Sequence, residues 1–283
     1  MTLPIPLIDH VIINARDELE DSAALYTRLG FRLTPRGHHT LGSSNNLAIL
    51  GTDYIELLGV MPGTVGQTDV MDWPPGLNGL VFKTTDSDSL YATLTEAGAP
   101  VLPPQAFSRP VDMGDNIIKD AAFRTVRLEK EASPAGRMFF CHHLTPDLVW
   151  NDPWRRHPNG ATALQGMLIA ATDPAAYAAL FALMFGETAL RTSDQGSGSS
   201  VILTAGLATI EIATPVAVAT RLGEAAPPLE GRPATMAALI VRTASLSLAR
   251  TALEAGGIPT APHEGSIIVP AAQAGNLALV FVE

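Results

Sequence analysis

One pattern recurs four times along the chain, and this repetition constrains the fold more than any other feature. Each copy has an apolar run of strand character, a short polar residue, an amphipathic stretch of helical period closed by Gly, and further strand-like runs. The first copy opens with LIDHVIINARDELEDSAALYTRLGF at Leu7 and continues through LAIL (Leu47 to Leu50) and DYIELLGV (Asp53 to Val60). The others begin at GLVFKTTDSDSLYATLTEAG (Gly79 to Gly98), MLIAATDPAAYAALFALMFG (Met167 to Gly186) and ALIVRTASLSLARTALEAG (Ala238 to Gly256). Asp17 with Glu20 reads as a capping box, Asp173 as a cap followed by Pro174 at the first helical position, and Ser245 as a cap.

The copies pair as one with three and two with four. ARD before the first helix returns as ATD, IEL in the last strand returns as IEI, and both even copies end in EAG. Asp17 recurs as Asp173, Glu56 as Glu211 and Gly98 as Gly256, at offsets of 156, 155 and 158 residues. The expected fold is therefore α+β, with four βαβββ modules in an A-B-A′-B′ duplication. Residues 1–150 form the first domain, the polar NDPWRRHPNGA stretch at 151–161 a linker, and residues 162–283 the second domain. EAAPPLEGRPA (Glu224 to Ala234) reads as a further linker between the last two modules.

Composition removes several function classes. The net charge is −10 and the lysines are only Lys83, Lys119 and Lys130, so the clustered cations that grip nucleic-acid phosphates or anionic membranes are missing. A single cysteine, Cys141, excludes an internal disulfide and any multi-cysteine zinc site. With no signal-like N-terminus and no long apolar run, the expected setting is the cytoplasm. The partner implied is a small molecule, and a homodimer is compatible with the composition.

Two polar residues stand in apolar strands. His10 lies among Leu7, Ile8, Val11, Ile12 and Ile13, and Glu56 lies among Tyr54, Ile55, Leu57 and Leu58. A buried carboxylate is costly without a partner. DHVIINARD…LGF, GSSNNLAILGTDYIELLGV and FCHHLTPDLVW followed by HPNGA together resemble the vicinal oxygen chelate superfamily, specifically its glyoxalase-like branch. The resemblance implies paired βαβββ modules, each pair curling its sheet into a cup that holds a divalent metal and a substrate with two neighbouring oxygens. It places metal ligands in the first and last strands of a module, which makes His10 and Glu56 ligands and Glu56 the catalytic carboxylate.

The second module departs from that pattern, with Gly79 and Phe140 where the remaining ligands are expected. His142 and His143 follow directly. Strand alternation puts His142 on the face of Phe140, whereas the resemblance favours His143, which directly precedes the LTP sequence. With either, a 2-His-1-carboxylate set would suit Fe, with Zn, Mn, Ni or Co as alternatives. His39 and Asn46 are candidate substrate contacts. Trp73, Trp150 and Trp154 are expected to pack a seam between domains, and GQTDVMDWPPGLN and RTSDQGSGSS to form loops near a pocket.

The third and fourth modules retain Glu211 but carry Gly166 in place of His10, which implies a half without a metal site. Three functions follow from the resemblance. A metal-dependent lyase or isomerase acting on vicinal oxygens comes first. A metal-free sequestering protein of the same fold, like the bleomycin-resistance proteins, is the alternative. An extradiol-type dioxygenase is the third, discounted because its ligands would lie in the C-terminal half.

Overall fold

The structure is a computed structural model that describes residues 2–61, 68–113, 117–195 and 198–283. Its N-terminal half runs β1 (Ile8–Arg16), α1 (Leu19–Arg28), β2 (Gly37–His38), β3 (Ser43–Ile49) and β4 (Tyr54–Val60). It continues with α2 (Thr68–Met71), β5 (Gly76–Lys83), α3 (Ser87–Glu96), β6 (Gln105–Asp112), β7 (Ile118–Arg127) and β8 (Arg137–His143). These eight strands form one sheet in the order β2-β3-β4-β1-β5-β8-β7-β6. The two first strands, β1 and β5, run antiparallel side by side, and each pairs in parallel with the last strand of its own module.

The sheet curls until its edges meet. Thr40 N–H, just past β2, donates to the Ser108 carbonyl of β6 at 2.9 Å, and Ser108 N–H returns a bond to Thr40 Oγ1 at 3.1 Å. Closure of this kind satisfies edge groups that would otherwise face solvent. It also turns the concave face into a walled cup.

The C-terminal half repeats the plan with β9 (Ala161–Ala171), α4 (Pro174–Phe185), β10 (Leu190–Gln195), β11 (Gly198–Ala205) and β12 (Ala208–Ala213). After α5 (Pro215–Leu222) come β13 (Ala234–Thr243), α6 (Leu246–Ala255), β14 (Ala261–His263), β15 (Ser266–Val269) and β16 (Ala278–Val282). Its sheet order, β10-β11-β12-β9-β13-β16-β15-β14, matches the first strand for strand. The fold is thus the α+β, A-B-A′-B′ duplication read from the repeats. The stretch RTSDQGSGSS, expected as a loop, is largely the β10–β11 hairpin, with 196 and 197 outside the described residues. In GQTDVMDWPPGLN, Gly66 and Gln67 lie outside them and α2 and the start of β5 occupy much of the rest.

One apolar core joins the convex, helix-bearing faces of both sheets. Val11 and Ile13 of β1, Phe82 of β5 and Phe140 of β8 meet Phe185 of α4, with the Phe82 and Phe185 rings 4.8 Å apart. The halves are also stitched by polar bonds: Asn159 Nδ2 donates to the Leu29 carbonyl, and Arg28 Nε to that of Gly256. Gly30 closes α1 at φ +83°, where a Cβ would stand 2.8 Å from that of Ala252. Asp173 and Ser245 cap α4 and α6 as their sequence suggests, but Asp17 does not cap α1, whose N-cap is Glu18. Arg16 at φ +50° turns the chain before the helix begins.

Candidate metal and substrate site

Alternation along the central strands sorts their side chains between core and cup. On β1, Val11 and Ile13 enter the core while His10 and Ile12 face the cup; on β4, Glu56 and Tyr54 do the same. Because β1 and β4 pair in parallel with His10 opposite Tyr54 and Ile12 opposite Glu56, the two polar residues meet on the cup floor. His10 Nε2 lies 3.5 Å from Glu56 Oε2, with both side chains under a tenth exposed.

Each is held by a second residue. Between Ile8 and His10 the β1–β5 register advances two residues on β1 against one on β5, so Asp9 is the extra residue of a β-bulge. Its Oδ1 accepts from His10 Nδ1 at 2.6 Å and from His143 Nε2 at 2.9 Å. Burial alone would raise the Asp9 pKa, but these two hydrogen bonds and the charges behind them hold it far below the usual carboxylate range. An ionised Asp9 only accepts, so His10 Nδ1 is the donor of this bond and Nε2 is the nitrogen turned toward Glu56. The ring itself stacks on Tyr54, centroids 4.4 Å apart at 11°.

Glu56 Oε1 accepts from Asn45 Nδ2 at 2.6 Å. The same amide points at His39 Nε2, 3.2 Å away, and His39 Nδ1 meets Ser43 Oγ at 2.9 Å. Burial lowers the His39 pKa to about 4, against an opposing pull from Glu56, so this imidazole is neutral at pH 7. A chain of polar contacts therefore runs Ser43, His39, Asn45, Glu56, His10, Asp9, His143 across the floor.

Above it opens a cavity of about 330 Å³. Ile12, Leu47, Phe107, Phe123 and Phe139 supply apolar walls, and Arg109 reaches in from β6. Burial depresses the Arg109 pKa, with Tyr54 and Glu56 opposing. Cys141 lines the same space, but burial and the nearby carboxylates Asp9 and Glu56 push its thiol up, so it is no thiolate nucleophile.

A family model described as a glyoxalase-like domain matches residues 8–185, well over half of the chain. The chain belongs to the glyoxalase-like domain family. The solved structures it resembles, each 14% identical, share its fold. A hypothetical protein from Staphylococcus aureus aligns over 98% of this chain and 99% of its own with a TM-score of 0.65. A mutant of 4-hydroxymandelate synthase from Streptomyces coelicolor aligns over 99% and 92%, TM-score 0.60. A fusion of a xylose isomerase-like TIM barrel with 4-hydroxyphenylpyruvate dioxygenase aligns over 92% of this chain and 40% of its own, TM-score 0.57. No curated protein matches the sequence.

Within this glyoxalase-like frame the candidate residues separate. His10, Glu56 and His39 line the cup, and His143, on the Phe139–Cys141 face of β8, reaches Asp9 beside the cavity. His142 does not join them: it pairs with Arg124 on the face that looks toward α3, where Arg124 binds Asp88. Phe140 shares that core-directed face, so the cup positions of β8 are Phe139 and Cys141 rather than Phe140. Asn46 is likewise turned away, holding Arg36 Nε and the Thr34 carbonyl, and its neighbour Asn45 is the inward residue. Gly79 faces the cup, but a Cβ there would come within 2.6 Å of Ile12 Cβ, so Ile12 fills the space a side chain would need.

The tryptophans also sit elsewhere than a domain seam. Trp73 lines the cavity, and Trp150 packs against Tyr54 and His143 with centroids 5.5 and 5.8 Å away. His157, placed in the linker by sequence, is a clasp: its Nδ1 accepts from Arg32 N–H and its Nε2 donates to the Ile49 carbonyl.

In the C-terminal half the matching positions are filled differently. Glu211 lies opposite Leu168 as Glu56 lies opposite Ile12, and Gly166 stands where His10 would be. Helix α5 packs Val218 and Leu222 onto the concave face of that sheet, and its Arg221 engages Glu211. Thr214 as cap and Pro215 at the first helical position mark this helix in the sequence.

Proposed function

We propose that the N-terminal cup is the active site of a divalent-metal-dependent lyase or isomerase acting on a small molecule with two adjacent oxygens. The observation that carries this reading is the His10–Glu56 pair, 3.5 Å apart on the cup floor, each fixed from behind by Asp9 or Asn45.

The donor chemistry fits a cation of the Fe, Zn, Mn, Ni or Co class. A separation of 3.5 Å suits two ligands whose bonds to one ion are about 2.0–2.2 Å. Asp9 on the far nitrogen of His10 is the outer carboxylate that sets the tautomer of metal-binding histidines. Asp9, His10 and His143 also offer three donor atoms within 4.8 Å of one another. A cation there would displace the protons that now join the histidines to Asp9, and His143 would have to supply Nε2. Both arrangements require His10.

A bound cation would act as a Lewis acid toward a developing oxyanion. The chain's own groups do the rest. With Oε1 held by Asn45, Glu56 Oε2 would serve either as a ligand or, once released by the incoming substrate, as the base that takes a proton from the carbon beside the carbonyl, the electron pair shifting onto the carbonyl oxygen. Returning the proton to the former carbonyl carbon, with the hydroxyl proton passing between the two oxygens, completes an isomerisation; loss of a leaving group with its electron pair from the carbon on the other side of the deprotonated one, as the carbonyl re-forms, completes an elimination. Asn45 keeps Oε1 occupied so that the proton stays on Oε2, and the apolar walls exclude water.

The metal-free binding reading rests on one specific observation. The second module offers Gly79, Phe139 and Cys141 to the cup, and no carboxylate or imidazole at those positions. The dioxygenase reading draws only on likeness of fold, at 14% identity, to a fusion protein containing 4-hydroxyphenylpyruvate dioxygenase.

Elemental analysis of protein purified without chelators separates these readings. The expected result is near-stoichiometric metal in the wild type, lost in His10→Ala and Glu56→Ala and kept in His143→Ala. Loss in His143→Ala with retention in Glu56→Ala would move the ion to the Asp9 side. No metal after reconstitution would leave the binding reading.

A further inference from the structure

Arg109 is a buried cation. It is 7% exposed and lines the cup, yet among the described residues no carboxylate lies within ion-pair distance of it. Glu56 is near enough to act on it electrostatically but does not pair with it. Burying an unpaired charge is expensive, and such a group persists where something else compensates it. The fold also makes room for it. A Cβ on Gly37 would stand 2.5 Å from Asn45 Oδ1, 3.0 Å from Arg109 Cδ and 3.2 Å from Nη1, so the glycine leaves room for both side chains across the closed sheet edge.

Beside Arg109, Phe107 and Phe123 stack with centroids 5.1 Å apart and present a flat apolar wall.

We infer that Arg109 is the docking point for a carboxylate on the substrate, whose flat apolar body lies along Phe107 and Phe123. The inference rests on the cup being the substrate site and adds the substrate class: an aromatic or similarly planar carboxylic acid. The guanidinium fork matches a carboxylate through two parallel hydrogen bonds, which a neutral amide of the same shape cannot reproduce.

The test is a titration of wild-type protein, Arg109→Gln and Arg109→Lys with benzoate and benzamide, followed by calorimetry, before and after chelator treatment. The expected result is a preference for benzoate of tenfold or more in the wild type, unchanged by chelator. It disappears in Arg109→Gln and survives in part in Arg109→Lys. Equal affinity for the two probes in the wild type overturns the inference, as does a benzoate preference that persists in Arg109→Gln. A preference abolished by chelator belongs to the metal and also overturns it, while leaving the metal reading intact. Metal content of Arg109→Gln equal to wild type shows that the two sites fail independently. A second readout guards against a merely structural arginine: removing an uncompensated buried charge raises Tm in Arg109→Gln, whereas losing a structural contact lowers it.

Discussion

The Asp9 carboxylate stands 2.6 Å from His10 Nδ1, although the two residues are adjacent in a strand, where neighbours ordinarily face opposite sides. The bulge at Asp9 makes this possible, and the bond dictates which nitrogen of His10 is free. Asp9→Asn keeps the size but removes the charge that makes His10 a strong donor through Nε2. The expected outcome is a 10–100-fold loss of metal affinity with the fold retained, read by metal titration beside circular dichroism. Wild-type affinity in Asp9→Asn would sink the outer-carboxylate role.

Asn45 and Asn46 make opposite predictions despite being neighbours. Asn45→Ala leaves Glu56 Oε1 buried without its donor and frees the carboxylate to rotate, so metal affinity should fall by at least tenfold. Asn46→Ala removes bonds to Arg36 and Thr34 on the other face and should cost about 1 kcal/mol of stability with metal content unchanged. If the two variants lose metal equally, the assignment of faces to function is wrong.

These adjacent pairs show what a linear reading resolves. The duplication was legible because each module had to bury an alternating strand and an amphipathic helix, and Glu56 and Glu211 keep one register against their first strands. His10 and Glu56 stood out because a polar residue in an apolar strand is conspicuous. Choosing between His142 and His143, or Asn45 and Asn46, required knowing which face of each strand meets the helices. Anchoring β8 on Phe140 gave the wrong face for His142. Asp9 was hidden by a bulge, whose two-against-one register depends on the partner strand. Arg109 had no motif at all; its significance comes from burial and from sheet closure, which bring β6 next to β2.

Gly79 explains why the second module lacks a ligand on its first strand. Ile12 of the neighbouring strand lies over it, so Gly79→Ala should destabilise the protein by about 1–3 kcal/mol through overpacking. Trimming the opposing side chain should relieve the clash. Gly79→Ala combined with Ile12→Ala is therefore expected to be more stable than the sum of the single effects, by a coupling of at least 0.5 kcal/mol in urea unfolding. Strict additivity would show that the glycine is there for another reason.

Asp53 gives a pH dependence with a definite sign. It follows the loop after β3, accepts the Leu164 N–H at 2.9 Å, and so ties the two halves together. Burial raises its pKa from 3.8 to about 6, against that hydrogen bond and the pull of Lys83. The folded state thus keeps a proton that the unfolded chain releases between about pH 4 and 6. Asp53's contribution to stability falls as pH rises through that window, and above it the buried charge costs on the order of 2 kcal/mol. His39, whose pKa is depressed, acts in the opposite direction as pH falls below 6.5, so the wild-type curve alone mixes the two. Asp53→Asn keeps an acceptor for Leu164 and removes only the charge. Urea unfolding of both proteins from pH 4 to 8 should show the variant more stable by 1–3 kcal/mol at pH 7.5. That advantage should shrink to about 0.5 kcal/mol at pH 4, where Asp53 is neutral in the folded state and about half ionised in the unfolded chain; an advantage independent of pH would mean that its charge is not the cause.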